Sequence, residues 1–407
     1  MRDGKTACPW PRPGNCAPDA TGPSRRRVRD GLPRREALFV LCIAALTAGL
    51  WFAPTGFEER LPVDAVQVKA RVLAVDDAHV RQYGIVREGE QRVTAEPLSG
   101  PFAGRPIVAD NLLLGKLEFD KVFAPGDTAL LVLSLRNGEI VSAVAQDHWR
   151  LTLQGALLGL FALALAVYAG WTGVKAVLSF VFAALLLWKV LVPLFLRGFD
   201  PLLTALGVLA LLMAGIVFLV GGLSRRSLAA YLGSLGGVAV TSLLSLATAR
   251  GFALPGAVMP FAETLLYTGY AHLNLGRMFL AAICLGASGA IMDVAMDVAA
   301  SQCEVAAHHP GIGGWPLCLS GLRVGRVVVG TMATTLLLAY CGGGLALLMV
   351  VMAQGVPLIN AATMPHVAAE IANTLVGSFG LVTAAPLTAV AGGMLLRRGP
   401  GRRDDAP

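Results

Sequence analysis

The sequence predicts an α-helical polytopic membrane protein with about eight transmembrane helices and a small extracytoplasmic β-rich domain between the first two. Three observations predict it. Hydrophobic residues make up 55% of the 407 residues and charged residues only 14%, where an ordinary soluble domain carries roughly a quarter charged. The shortage of charge is uneven: residues 54–150 are soluble in character, while most of 151–396 is apolar with brief polar breaks. Positive charge gathers beside the terminal apolar runs. Arg25, Arg26, Arg27, Arg29, Arg34 and Arg35 precede the first run, and Arg397, Arg398, Arg402 and Arg403 follow the last. A net charge of +7 suits nucleic acid or a membrane surface, and placement against apolar runs selects the membrane.

Residues 1–35 are rich in Pro, Gly and Arg without apolar periodicity, which predicts a disordered cytoplasmic tail. Residues 36–53 form the first apolar run. A cleaved signal peptide shares this layout, but the long preceding tail and the lack of an A-x-A site favour an uncleaved signal-anchor. Residues 54–150 are strand-like. Apolar and polar residues alternate over 66–75, a second β-prone run spans 128–135, and Asn137-Gly138 predicts a hairpin with its return strand at 139–144. A small barrel of OB type fits. Such barrels can bind nucleic acid, but this segment lacks an aromatic platform and has a slight acidic excess, so no nucleic-acid partner is expected.

A crossing helix needs about 20 mostly apolar residues. The predicted spans are 37–53, 151–171, 174–196, 202–223, 228–247, 278–300, 327–351 and 371–396. Lys189 and Pro193 predict a kinked or re-entrant path for 174–196. With the N-terminus inside, Lys175, Arg225, Arg226, Arg323, Arg326 and the basic tail at 397–407 all fall inside, leaving mainly Arg197, Arg250 and Arg277 outside. That agrees with the positive-inside rule. The connection at 301–326 is read as an inner loop.

Seven cysteines are scattered, none in the outer domain, so no disulfide framework is implied. Cys303, His308, His309 and Cys318 follow no strong zinc spacing, and neither a metal nor another cofactor is expected.

The leading candidate pair is Asp293 and Asp297, four residues apart on one helical face with Ser301 continuing the spacing. A carboxylate in hydrocarbon costs several kcal/mol (roughly 3 on insertion scales) unless paired, hydrated or protonated, so such residues face an interior or an aqueous path. The structural alternative is that both simply reach water at the cytoplasmic end. Glu370, Asn373, Thr374, Gly377 and Ser378 form a polar stripe at i, i+3, i+4, i+7, i+8. Thr331, Thr334 and Tyr340 precede Gly342-Gly343-Gly344, a triplet that predicts a helix break or a close helix contact. Glu370 starts its span outside while the aspartates end theirs inside, so direct contact is not expected. They can line opposite halves of one pathway. Gly233, Gly236 and Gly237 predict close helix packing.

Ala287-Ser-Gly-Ala-Ile-Met-Asp-Val-Ala-Met-Asp-Val-Ala-Ala-Ser301 resembles the YibE/F-like family of bacterial membrane proteins. Ser320-Gly321, Gly325-Arg326, Gly330-Thr331-Met332, Leu336-Leu337-Leu338-Ala339-Tyr340, Gly342-Gly343, Glu370-Ile371, Gly377–Val382 and Pro386-Leu387-Thr388 follow in the family's order. Val327 stands where the family usually has an acidic residue, and Ala333 where it usually has Asn. The resemblance implies a multispanning protein of the bacterial cytoplasmic membrane.

The expected function is a small-solute or ion transporter using intramembrane carboxylates. The alternative is a non-transporting scaffold that recruits partners through the outer β domain. An aspartyl protease would need carboxylates facing each other from two helices, and no P-loop or nucleophile elbow occurs, so no enzyme is expected. The expected partners are the lipid bilayer, an unidentified solute or ion, and a second copy or another membrane protein.

Overall fold

A computed structural model describes residues 34–57 and 65–397. Of the tails expected at 1–35 and 397–407, residues 1–33 and 398–407 lie outside the described residues, and Arg34 and Arg35 belong to the first helix.

Helix α1 (Arg34–Phe52) leads into a closed five-stranded barrel. Its strands are β1 (Ala65–Tyr83), β2 (Val86–Pro97), β3 (Ile107–Leu114), β4 (Thr128–Arg136) and β5 (Glu139–His148). Their order around the barrel is β1-β2-β3-β5-β4, with β4 returning to β1. Strand β1 closes it by pairing β4 through Ala65–Arg71 and β2 beyond Ala70. Register shifts between Val72 and Ala74 and between Asp76 and His79 supply the bend that closure needs. Val68, Val93, Leu131, Leu133 and Phe123 fill the interior. The Asn137-Gly138 hairpin forms as its sequence predicts: Arg136 pairs Glu139, and both turn residues have positive φ (56° and 84°), as a tight I′ turn requires.

Among the described residues, seven helical stretches are long and apolar enough to cross a bilayer, by length and composition. The longest, Leu151–Leu196, is not one rod. Gly170 breaks α2 (Leu151–Leu186) with φ 57° and ψ −130°. The rings of Phe161 and Phe180 lie 5.8 Å apart, whereas a straight helix would separate these residues by about 28 Å. The chain therefore doubles back at Gly170, and Gly173 packs on the Leu165 backbone. Beyond α2 come a π-helical turn (Leu187–Leu191) and the short α3 (Val192–Leu196). The regular α-helix is thus interrupted within 174–196. Lys189 there donates from Nζ to the Ala53 carbonyl (2.9 Å).

The remaining helices are α4 (Pro201–Gly221), α5 (Arg225–Phe252), the short α6 (Ala262–Tyr267), α7 (Leu275–His308), α8 (Gly314–Gly343), α9 (Leu345–Ala353), the short α10 (Leu358–Thr363) and α11 (Pro365–Leu395). Helices α5, α7, α8 and α11 form the central bundle. Small residues let their backbones approach closely. Gly233 sits against Thr388, Gly237 against Ala384 and Ile291, Gly377 against Ala287, and Gly325 against Ala385 and Val298. These contacts make α7 and α11 parallel, and α5 and α8 antiparallel to both. The end of the bundle where α5 begins and α11 ends carries Arg225, Arg226 and Arg397, with Arg323 and Arg326 about two to three turns along α8 from that end.

Two expected boundaries change. The inner loop read at 301–326 shrinks to residues 309–313, because α7 and α8 both extend into it. Polar residues suggested a loop there, but the fully buried Gln302 donates to the carbonyls of Leu317 (3.0 Å) and Ala389 (2.9 Å), stitching three helices together. The 327–351 run divides at Gly344 (φ −92°, ψ 10°), the break that three successive glycines predict.

Candidate functional site

Helices α8 and α11 converge at the bundle end opposite the arginines, where α8 stops at the glycine triplet and α11 begins. Between them, under α9, lies a half-open cavity of about 220 Å³. Its polar groups are Tyr340, Glu370 and Thr374, and Leu337, Leu348, Val367 and Ile371 form much of its wall. Gly344 at the break brings the chain close to the acid: a Cβ there would stand 3.9 Å from Glu370 Cγ. Glu370 is exposed, lines the cavity and has no ion-pair or hydrogen-bond partner among the described residues. The Tyr340 hydroxyl is buried and also without a partner. Gly286 of α7 makes room for it, since an added Cβ would come within 2.7 Å of that oxygen.

The predicted stripe on α11 divides in its roles. Glu370 and Thr374 enter the cavity. Asn373 is half-buried, with its Oδ1 unpartnered. The Ser378 hydroxyl donates to the Thr374 carbonyl (2.7 Å), an internal helix contact. Thr331 and Thr334 of α8 are exposed and donate to the Val328 (2.9 Å) and Gly330 (3.4 Å) carbonyls of their own helix. Thr331 lies nine residues before Tyr340, which at 100° per residue puts it on the opposite face.

Asp293 and Asp297 are not in this cavity. Both are exposed on α7, and Ser301 is half-buried further along. They face away from the packed core formed by Ile291, Val294, Ala295 and Val298. They do share a face with the cavity's edge. Gly286, Gly289, Asp293 and Asp297 follow i, i+3, i+7, i+11 spacing, one continuous stripe of a helix. A Cβ at Gly289 would meet nothing within 4 Å, so the stripe is open. At 1.5 Å per residue, Asp293 lies about 10 Å along α7 from Gly286 and Asp297 about 16 Å.

A second cavity of about 200 Å³ lies between the ends of α5 and α7 and includes Ser245, Thr248, Asn274 and Arg277. Sequence reasoning missed it, because its residues come from the end of α5, the start of α7 and, at Ala372, α11, which only tertiary packing brings together. Arg277 Nε stands 2.9 Å from Asp200 Oδ2; the contact is one of charge, since the N–H is not aligned for a hydrogen bond. Among the described residues no three His, Cys, Asp or Glu side chains gather into a metal-holding group.

A family model for YibE/F-like proteins matches residues 157–398. The chain belongs to the YibE/F-like family. The match takes in α4 through α11 and therefore both cavities and the α7 stripe of this YibE/F-like protein. The barrel and α1 lie outside it. No curated protein and no solved structure matches the chain.

Proposed function

We propose that this YibE/F-like protein is a transporter for a small solute or ion, with Glu370 in the entry site and Asp293 and Asp297 on the path towards the other side. The observation that carries the reading is the exposed, unpaired Glu370 carboxylate lining a largely aliphatic cavity at a broken helix. Such an acid has no structural partner to stabilise it, and discontinuous helices commonly build solute sites. The stripe from Gly286 to Asp297 supports a route, because it joins the Tyr340 edge of the cavity to two further acids through positions that carry no side chain. Two carboxylates one turn apart hold a shared proton or cation more tightly than either does alone.

The associated topology has eight crossings, counting the two arms of the Gly170 hairpin separately. Both termini and the arginine-rich end of the bundle lie in the cytoplasm, following the positive-inside rule. The barrel is outside, and its five closed strands support an OB type. The membrane is the bacterial cytoplasmic membrane.

The test is solute and proton flux into proteoliposomes containing the full chain. Glu370→Gln and the double variant Asp293→Asn/Asp297→Asn should each abolish flux while keeping normal expression and monodispersity. Wild-type flux in both would sink the reading.

One observation favours a scaffold as the second reading. Val108, Leu112 and Leu114 of β3 and Val141 and Val144 of β5 are exposed on adjoining strands of the barrel. Exposed apolar patches often mark protein contacts. Under that reading, Leu112→Lys with Val141→Lys removes crosslinked partners, and the three acids are dispensable.

A further inference from the structure

The cavity at Glu370 pairs one carboxylate with few other oxygens. Tyr340 and Thr374 contribute hydroxyls, and the remaining wall is aliphatic, Gly or Cys341. A hard metal cation would exchange its water shell for too few ligands there, since calcium takes 6–8 oxygens and magnesium about six. A cation that carries its own apolar surface loses little hydration on entering. It gains the Glu370 charge, apolar contact and attraction to the Tyr340 ring. The volume of about 220 Å³ lies below the roughly 300–1,000 Å³ of drug-sized ligand sites, so the guest is small.

We infer that this cavity binds a small alkylammonium cation, which names the substrate class of the proposed transport site and rests on that reading. Glu370 is the counter-ion, Tyr340 the aromatic wall, and the aliphatic side chains of α8, α9 and α11 hold the alkyl groups. The ammonium belongs either to a free solute or to an ethanolamine lipid headgroup, since the cavity is open on one side and both present the same chemistry.

Cys341 in the cavity wall is a built-in reporter. The full chain, with Cys8, Cys16, Cys42 and Cys303 replaced by Ser and Cys284 and Cys318 buried, is placed in phosphatidylglycerol nanodiscs, and alkylation of Cys341 by N-ethylmaleimide is timed. Tetramethylammonium should slow the reaction saturably, while potassium and the neutral, similarly shaped neopentyl alcohol should not. Glu370→Gln, which preserves shape, should raise the half-effective concentration at least tenfold, and Tyr340→Leu should raise it as well. Equal protection in Glu370→Gln and wild type, or no protection at all, overturns the inference. If the ammonium is a lipid headgroup, phosphatidylethanolamine nanodiscs alone slow alkylation in a Glu370-dependent way. If it is a free solute, the two lipids give the same rate, and tetramethylammonium still protects. Protection without flux in proteoliposomes supports this inference and overturns transport; flux without protection does the reverse.

Discussion

The Tyr340 hydroxyl of α8 rests against Gly286 of α7, at a place where a Cβ would approach it to 2.7 Å. The contact joins the cavity at Glu370 to the face of α7 that carries Asp293 and Asp297. It exists because residue 286 has no side chain.

Gly286→Ala separates the site from the fold. Alanine favours a helix over glycine by about 1 kcal/mol, which offsets the cost of moving the flexible end of Tyr340. Thermal stability in detergent should therefore stay level or rise. Displacing the ring from the cavity wall removes a cation–π contact of ~1 kcal/mol, so ammonium affinity should fall about fivefold. Titration calorimetry beside a melting curve checks both halves, and unchanged affinity would contradict the assignment of Tyr340 to the site.

Gln302 should be a stability residue and not a site residue. Its amide donates to carbonyls on α8 and α11, and Gly321 and Gly392 accommodate it. Gln302→Leu loses two hydrogen bonds but leaves no new charge, for a cost of about 1–3 kcal/mol. Gln302→Glu turns a donor into an acceptor facing those carbonyls, and burying an unpaired charge costs more. Melting temperatures should order wild type above Leu above Glu. A Glu variant as stable as the Leu variant would overturn the hydrogen-bond account.

The Gly170 reversal makes a topological prediction. Single cysteines at 172 and 198 should label from opposite faces of inside-out and right-side-out vesicles, with 172 cytoplasmic and 198 outside. Labelling from one face would mean that 151–196 does not form two crossings.

The helices were legible in the sequence because a bilayer demands long apolar runs. The Gly342–Gly344 break and the Asn137-Gly138 turn were legible because glycine and asparagine carry backbone geometry directly. Strands β2 and β3 were not: Arg87, Glu88, Glu90 and Arg92 give β2 a polar look, although Val93 and Ala95 face the barrel core. The ends of α7 and α8 were missed because Gln302 is polar yet buried. Tyr340, Glu370 and Thr374 were each chosen as candidates, but their meeting in one cavity depends on the α8–α11 crossing, which no local pattern encodes. Thr331 and Thr334 looked equivalent to Tyr340 in the sequence, and helical phase separates them from it.

Transport by this route requires water along α7 between Glu370 and the aspartates. Gly289→Cys, in a background lacking the native cysteines, tests it most directly, because methanethiosulfonates react with the hydrated thiolate. The comparison is Leu243→Cys on α5, a position 68% exposed on the bundle surface. Reaction with a charged, membrane-impermeant reagent should be at least tenfold faster at 289 than at 243. Equally slow reaction at both positions would place the Gly286–Asp297 stripe in lipid and contradict the route.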